Sequence, residues 1–397
     1  MIFLCLSGDV FGGRFSDFFG RVLSPSPKPL KQQNDFGGLT RCQRLEKERL
    51  SDSLRLPDHE PASPETCPRI DTQFAALFGG ARSSPKSVNV YFVRHAESTW
   101  NEFTKGQILE VKANRTPRLT DAHLSEEGIK SMIELNEKIF SADCSQNAEF
   151  CFLAGKPDPA SPASQPQRRV IYATSNLRRA IFTTLILFKD RLAKAGETIE
   201  GRKPINKIHV LSSLQEMVTN IDSEPITPVG EIPYLTFSDR DENTCPFRLS
   251  QMKSVLSVGC NKENVNNKKN PKVPTLNEFC HWMAYMSVHG KSGEMSDDAV
   301  EGATDFVLVG HSIWIREFYQ QFMDKSNWTA WRHIGRQKHD KEAQAIISEF
   351  QKLSNQGILK FMVNFVAAAD GTPTCQIGSE STKFVNGEAK KRFGPIR

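Results

Sequence analysis

Several features that would assign a chain to a particular class are absent from this sequence of 397 residues. No apolar run approaches the roughly 18 residues that a membrane-spanning helix requires, so no membrane span is expected. The cysteines form no C-x-x-C pair and no zinc-finger spacing. The net charge of +5 is small and no basic stripe marks the predicted core, which argues against a nucleic-acid partner.

The nine cysteines are few and scattered along the chain. This distribution predicts reduced thiols in a cytosol-like compartment, and therefore a cytoplasmic protein. One alternative stays open, because the N-terminal segment carries apolar residues at helical spacing that suit an organelle or membrane-surface association, docking on the core, or disorder. These residues are Phe11, Phe15, Phe18, Phe19, Val22 and Leu23.

The composition that is present, with 38% hydrophobic and 24% charged residues, is typical of a folded chain. Residues 1–86 are predicted to be a mostly disordered leader with one short helix near 40–55, because much of this region is rich in Pro, Ser and charge. A single domain is expected over 87–370, interrupted by surface insertions at about 141–168 and 222–275. Residues 371–397 are predicted to be a flexible basic tail.

Four β-branched or aromatic runs of strand length alternate with helical patterns in the domain. Near-continuous apolar strands of this kind predict a largely parallel α/β sheet flanked by helices, in a three-layer sandwich. The strands are expected at 88–93, 170–173, 207–211 and 306–309, and the helices after Ser125, over 177–188 and over 315–322.

Two further elements are predicted near the end of the domain. Asp340 is suited to cap a helix that runs through Leu353, and Gly357 is suited to close it. Residues 358–366 then read as a last strand at an edge of the sheet.

Each of the four predicted strands is followed by polar residues suited to phosphate chemistry. Arg94 and His95 follow the first, the third leads to Glu216, and His311 follows the fourth. In an open parallel sheet the ligand crevice lies at the carboxyl ends of the strands, so these side chains are expected to converge.

Arg178 and Arg179 begin the helix that follows the second strand. The positive end of a helix dipole disfavours cations, unless an anion lies between them and the free backbone N–H groups. A phosphate would serve, because helix N-termini and guanidinium groups both bind it. For each arginine, a position pointing to solvent is the alternative.

Four motifs together resemble the signatures of the histidine phosphatase superfamily, in its phosphoglycerate-mutase-like branch. The chain carries them in the family's order, and the resemblance spans about 88–366. They are R-H-A-E-S-T-W-N at 94–101, D-A-H-L-S-E-E-G at 121–128, S-N-L-R-R-A-I-F-T at 175–183 and G-H-S at 310–312.

The resemblance implies a phosphatase that passes the phosphoryl group through His95, without a metal ion or cofactor. His311 is the second catalytic histidine, and Glu216 is the general acid and base, with Asp222 and Glu224 as alternatives. The phosphate would be held by Arg94, Arg179, Asn101 and Ser98. The substrate is expected to be a phosphorylated small molecule or a phosphoprotein.

The chain departs from the family pattern at several positions. Ala96 replaces the usual glycine, and the R-H-Y-G that follows the acid in the sugar-phosphate mutases is replaced by Met217 to Asn220. The second of these departures favours a hydrolase. A mutase of the same superfamily and a catalytically idle binding scaffold are the alternatives, although a scaffold is expected to have lost one of the key residues.

Other candidate residues have weaker support. His281, His289, His333 and His339 lack the carboxylate or cysteine spacing of a metal site and are interpreted as exposed histidines. Trp314 is expected either to line the pocket or to pack in the core. Specificity is expected from 102–120, 217–280 and the region after Trp328, where the family pattern is loosest.

Overall fold

The structure is a computed structural model that describes twelve ranges of the chain. The predicted leader, its short helix and the region of Trp328 lie outside the described residues, as do the histidines at 333 and 339. The described ranges are 87–104, 120–157, 169–193, 197–217, 221–226, 255–261, 272–289, 304–323, 351–367, 373–378, 382–387 and 389–391.

An eight-stranded sheet forms the centre of the fold, in the order β4-β3-β2-β5-β1-β7-β8, with β9 also paired to β7. The pairs from β4 to β1 are parallel, whereas β7 pairs antiparallel with β1, β8 and β9. The predicted α/β fold with a largely parallel sheet is confirmed. The strands are β1 (Ser87–Arg94), β2 (Arg169–Ser175), β3 (Ile208–Leu211), β4 (Leu256–Ser257), β5 (Thr304–Gly310), β7 (Ile358–Ala367), β8 (Pro373–Ile377) and β9 (Lys383–Asn386).

Helices cover both faces of this sheet. The predicted helix after Ser125 is confirmed, and the Ser125 hydroxyl caps it by accepting a hydrogen bond from the Gly128 backbone N–H. The helices are α1 (Thr99–Thr104), α2 (Glu126–Ser141), α3 (Ala148–Leu153), α4 (Arg178–Leu187), α5 (Lys272–His289) and α6 (Ser312–Phe322).

Strand β1 shows how the alternation of side chains builds two cores. Val90 and Phe92 pack in the core beneath α5 and α6, whereas Tyr91 and Val93 pack in the core beneath α2 and α4. All four side chains are almost fully buried, and each contributes about 1.5–3 kcal/mol of transfer free energy. The continuous apolar run in the sequence therefore follows from burial on both faces.

The predictions for the C-terminal part need correction. The helix predicted to run through Leu353 is wrong at its end, because Gln351–Leu353 forms β6 and pairs antiparallel with β10 (Ala389–Lys391). Gly357 closes no helix in the described residues; its N–H instead donates to the Ser354 carbonyl in the turn before β7.

The edge position and the flexible tail are also wrong. Strand β7 pairs with β1 on one side and with β8 and β9 on the other. The predicted tail contributes β8, β9 and β10, and Cys375 and Ile377 of β8 are buried in the core beneath α6. Apolar burial and backbone pairing stabilise a segment that composition alone describes as basic.

Both predicted insertions contribute to the folded domain. Residues 141–168 include α3, whose Phe150 and Leu153 pack in the core beneath α2 and α4. Residues 222–275 include β4, which extends the parallel sheet beside β3. Helix α5 begins in the same stretch; the sequence pattern missed it because its apolar residues are not confined to one stripe. Its buried apolar residues are Leu276, Phe279, Cys280, Trp282, Met283, Ala284 and Met286.

The described cysteines are disulfide-bonded, which corrects the prediction of reduced thiols. Cys144 bonds to Cys151, Cys280 bonds to Cys375, and Cys260 is also in a disulfide. Such bonds persist in oxidising compartments. They therefore weigh against the cytoplasmic location, which stays a prediction. In the described ranges, no helix combines the length and the apolarity needed to cross a bilayer.

Removing the Cys280–Cys375 bond should destabilise the domain more than removing Cys144–Cys151. The first closes a loop of 95 residues and joins α5 to β8, whereas the second closes a loop of 7. Loop entropy gives about 4.7 kcal/mol for the longer loop and about 2.4 kcal/mol for the shorter. Urea unfolding of the two double Cys→Ala variants measures this, and equal losses would contradict the assignment.

Candidate active site

The carboxyl ends of β1, β2, β3 and β5 lie side by side. Arg94 is paired with Gly310, and Ser175 is paired with Leu211. The residues that follow these strands therefore meet at one edge of the sheet. This is the edge at which the polar residues after the strands were predicted to converge.

His95 is held rigidly directly after β1. Its backbone N–H donates to the Gly310 carbonyl at 3.0 Å, and its Nδ1 lies 2.6 Å from the Ala96 carbonyl oxygen. A carbonyl can only accept, so Nδ1 carries the proton and the lone pair is on Nε2. The His95 ring centroid is 5.0 Å from that of His311. The structure thus brings the two predicted catalytic histidines together.

Both histidines are buried and neutral. Burial is the largest cause that holds the pKa of His95 well below its ordinary value, followed by the positive charge of Arg179 and then by His311 and Arg94. The pKa of His311 is lowered in the same way, by burial first and then by Arg179 and Arg94. A neutral His95 keeps the lone pair that a nucleophile requires.

His311 lies between β5 and α6, where the chain turns from strand to helix. Its Nε2 is 2.9 Å from the Ser175 hydroxyl, which also accepts a hydrogen bond from the Leu177 backbone N–H. Its Nδ1 is buried and has no hydrogen-bond partner among the described residues. A buried polar atom of this kind is suited to bind a ligand or water.

Arg94 extends from the end of β1 into the buried site. Its Nη1 donates to the Leu353 carbonyl at 2.6 Å, and its Nε is buried without a hydrogen-bond partner in the described ranges. Burial lowers the pKa of Arg94 to about 10; Glu216 opposes this shift and Arg179 adds to it. The guanidinium therefore stays charged at neutral pH.

Arg179 is almost fully buried in the first turn of α4. Its Nη1 donates to the Asp222 carbonyl oxygen at 2.5 Å, and its Nη2 lies 3.5 Å from the Asp222 carboxylate. The structure thus places Arg179 near both histidines, since its charge lowers the pKa of each. Asp222, an alternative acid in the sequence analysis, is its ion-pair partner.

Arg178 has a different role from either alternative that the sequence suggested. It neither points to solvent nor faces the histidines; it binds Asp121, whose carboxylate accepts from the Arg178 backbone N–H at 2.9 Å. The Arg178 Nε donates to the Asp121 carbonyl at 2.9 Å. The anion at the start of α4 is thus a carboxylate of the chain itself, which offsets the unfavourable dipole.

Glu216 is buried after the short helical turn at 212–214. Its Oε1 accepts from the backbone N–H of Met217 at 3.1 Å and of Trp314 at 3.2 Å. Trp314 is in the first turn of α6, so the positive end of this helix faces the carboxylate. Glu216 also raises the pKa of Arg94, which places it at the site. The other alternative acid, Glu224, is exposed.

Ser98 and Asn101 bind each other at the start of α1. The Ser98 N–H donates to the Asn101 side-chain oxygen, and the Asn101 N–H donates to the Ser98 hydroxyl, both at 3.3 Å. These contacts are those of a helix cap. The phosphate-binding role of these two residues stays a prediction.

Two residues that the sequence patterns did not single out position the loop after His95. Thr183 in α4 accepts a hydrogen bond from the Ala96 N–H at 3.0 Å. Gly128 in α2 leaves room for the loop after His95, because a Cβ at this position would lie 2.1 Å from the Glu97 carbonyl oxygen. Both residues are the last members of motifs noted above, which was the available signal.

The backbone at Ala96 explains why alanine is tolerated in place of glycine. Only Asp121 and Gln356 have a positive φ among the described non-glycine residues, so Ala96 adopts an ordinary conformation. Its side chain is fully buried in the core beneath α2 and α4.

Trp314 is also buried, so the interpretation of this residue as part of the core holds. Its indole N–H donates to the Ser213 carbonyl at 2.7 Å.

The stability of the folded chain should fall as the pH drops below about 6.5. Unfolded histidines take up protons there, whereas the buried His95 and His311 do not, because their folded pKa values are lowered. The loss is expected to be about 1.4 kcal/mol per pH unit for each histidine. Urea unfolding between about pH 7.5 and about pH 5 tests this. The variant His95→Gln should show a smaller slope, and a wild-type stability that rises on acidification would contradict the burial of neutral histidines.

No group of three or more His, Cys, Asp or Glu that could hold a metal ion occurs within the described part of the chain.

Comparisons with known proteins give distant matches among solved structures. No protein-family model and no curated protein matches the chain. Among solved structures, a protein described as mycobacterial hydrolase 1 has 13% identity and a TM-score of 0.32, with 74% of this chain and 97% of the other covered. A mycobacterial glucosyl-3-phosphoglycerate phosphatase has 15% identity and a TM-score of 0.30, covering 77% and 99%. A phosphoglycerate mutase from Bacillus anthracis has 14% identity and a TM-score of 0.31, covering 74% and 94%. At these TM-scores, the likeness carries no argument about activity.

Proposed function

We propose that the chain is a histidine phosphatase that hydrolyses phosphomonoesters through a phosphohistidine on His95. The observation that supports this most strongly is the pair of buried, neutral imidazoles whose ring centroids lie 5.0 Å apart beside two buried guanidinium groups. Arg94 and Arg179 supply the positive charge that a phosphoryl group needs.

In the first step, Nε2 of His95 attacks phosphorus and the bond from phosphorus to the ester oxygen breaks. Glu216 donates a proton to the leaving oxygen, so the alcohol departs neutral. In the second step, Glu216 takes a proton from a water molecule that attacks the phosphohistidine. The P–N bond breaks, which releases inorganic phosphate and restores neutral His95.

The charge that develops on the phosphoryl oxygens is stabilised by Arg94, Arg179 and His311. The Ser175 hydroxyl accepts from the Leu177 N–H, and it can donate its own proton to His311 Nε2. That arrangement leaves a proton on His311 Nδ1, which is then a donor to a phosphoryl oxygen. The reaction as proposed needs no metal ion, because side chains supply the positive charge.

Hydrolysis is favoured over transfer between sugar phosphates, because the segments that accompany the mutase acid are replaced here by Met217 to Asn220. A binding scaffold is disfavoured because the catalytic histidines and both phosphate-binding arginines are retained. The substrate is a phosphorylated small molecule or a phosphoprotein. The segments expected to select it fall largely outside the described residues.

Phosphate release from an aryl phosphate, measured with and without a chelator, tests the proposal. The purified protein should release phosphate without added metal, and the chelator should leave the rate unchanged. Loss of activity on chelation would contradict the mechanism. A screen of phosphorylated metabolites and phosphopeptides, with His95→Ala as the blank, then separates the two substrate classes.

A further inference from the structure

Asp222 makes a contact with the phosphate-binding machinery that the proposed reaction does not use. Its backbone carbonyl accepts from Arg179 Nη1 at 2.5 Å, and its carboxylate lies 3.5 Å from Arg179 Nη2. Both residues are buried, with 1% and 7% of their side chains exposed. Water screens an ion pair at this depth only weakly.

The segment that carries Asp222 is held from two sides. On one side, the Gln215 side-chain amide donates to the Ser223 carbonyl at 2.7 Å. On the other, the Asp121 carboxylate accepts from the Ile226 N–H at 3.3 Å. Asp121 also binds the backbone of Arg178, the neighbour of Arg179. The position of Asp222 beside Arg179 is therefore fixed by its surroundings and does not depend on the ion pair alone.

Asp222 cancels one of the two positive charges at the site before a substrate binds. Arg94 and Arg179 contribute two positive charges and Asp222 contributes one negative charge, whereas Glu216 holds the proton that it donates in the first step. The two histidines are neutral and add none. A phosphate dianion thus enters a site with an excess of one positive charge, although its binding partners are two guanidinium groups.

We infer that Asp222 acts as an internal anion on Arg179 that weakens the binding of phosphate, and so favours release of the inorganic product. The inference rests on the proposed function of the same site. The hydrogen bonds that hold the segment of Asp222 do not involve a ligand, so Asp222 is expected to stay beside Arg179 when a phosphoryl group binds. Two negative charges that contact the same guanidinium repel each other appreciably at the effective dielectric constant of a buried site.

Binding of inorganic phosphate to the full chain, measured by calorimetry, tests the inference. Asp222→Asn keeps the size of the side chain and removes its charge, so its Kd should be lower than that of the wild type by about tenfold or more. Asp222→Glu keeps the charge and should retain a Kd close to the wild-type value. Glu224→Gln is the matched control, since Glu224 is exposed on the same segment; its Kd should not change.

An Asp222→Asn variant with an unchanged or higher Kd would overturn the inference, because a residue that only orients Arg179 would weaken binding on removal. If Asp222→Asn does not fold, Asp222→Ser provides the same comparison. The fate of the proposed function is read separately, from phosphate release that depends on His95. Absence of that release overturns the proposed function, whereas its presence with an unchanged Kd overturns only the role of Asp222.

Discussion

Replacing His95 by alanine should abolish phosphate release, with a loss in kcat of about 10⁴-fold or more. The loss should be this large because the imidazole is the proposed nucleophile. His311 does not substitute, since its Nε2 is engaged with the Ser175 hydroxyl. Steady-state kinetics on an aryl phosphate measures the effect.

The matched control for this variant is His209→Gln. His209 is also buried, but it lies in β3 and packs against the Trp282 ring. This variant should keep its kcat while folded. His95→Ala should still bind inorganic phosphate, because the guanidinium groups remain. Substantial activity in His95→Ala would remove the basis of the proposed mechanism.

Replacing Glu216 by glutamine should slow hydrolysis by an amount that depends on the leaving group. Alkyl phosphates need a proton on the departing oxygen, so their kcat/KM, which reports the first step, should fall by about 10²–10⁴-fold. An aryl phosphate with an acidic phenol needs little protonation, and its first step should be much less affected. A series of phosphomonoesters with different leaving groups measures this dependence.

Glutamine is a suitable replacement because its side-chain oxygen can still accept from the N–H groups of Met217 and Trp314. The fold at the start of α6 should therefore be retained. Glu224→Gln serves as the control and should show no dependence on the leaving group. If Glu216→Gln lowered kcat/KM equally for all esters, the carboxylate would be positioning Arg94, not protonating the leaving group.

Much of the site was predictable because it depends on local patterns. Buried parallel strands read as continuous apolar runs, so the ends of β1, β2, β3 and β5 were located to within two residues. The carboxyl edge of a parallel sheet then gathers whatever polar residues follow. This rule was sufficient to predict from the sequence that His95, Glu216 and His311 lie close together.

The remaining features depend on contacts between distant segments, which periodicity does not encode. Asp121 meets Arg178 across 57 positions, and Asp222 meets Arg179 across 43. The local sequence around any one of these residues does not predict either ion pair. Helix α5 was not predicted for a related reason, because a helix that is buried on several sides lacks the amphipathic stripe of a surface helix.

The C-terminal strands and the disulfides were also set by tertiary context. Leu353 fits a helical stripe in the sequence, yet β10 pairs with its segment and makes it a strand. Cys280 and Cys375 are separated by 95 residues, and only the packing of α5 against β8 brings them together. Scattered cysteines in a sequence therefore give little indication of their redox state.

The most direct test of the central claim is chemical identification of the phosphorylated residue. The purified protein is mixed with an aryl phosphate that has an acidic phenol, quenched rapidly at high pH, where phosphohistidine survives, and digested for mass spectrometry. The account predicts one phosphorylated peptide, modified on His95, that forms and decays at rates compatible with turnover and accumulates in Glu216→Gln. Turnover that proceeds with no phosphate on His95, or with phosphate on another residue, would contradict it.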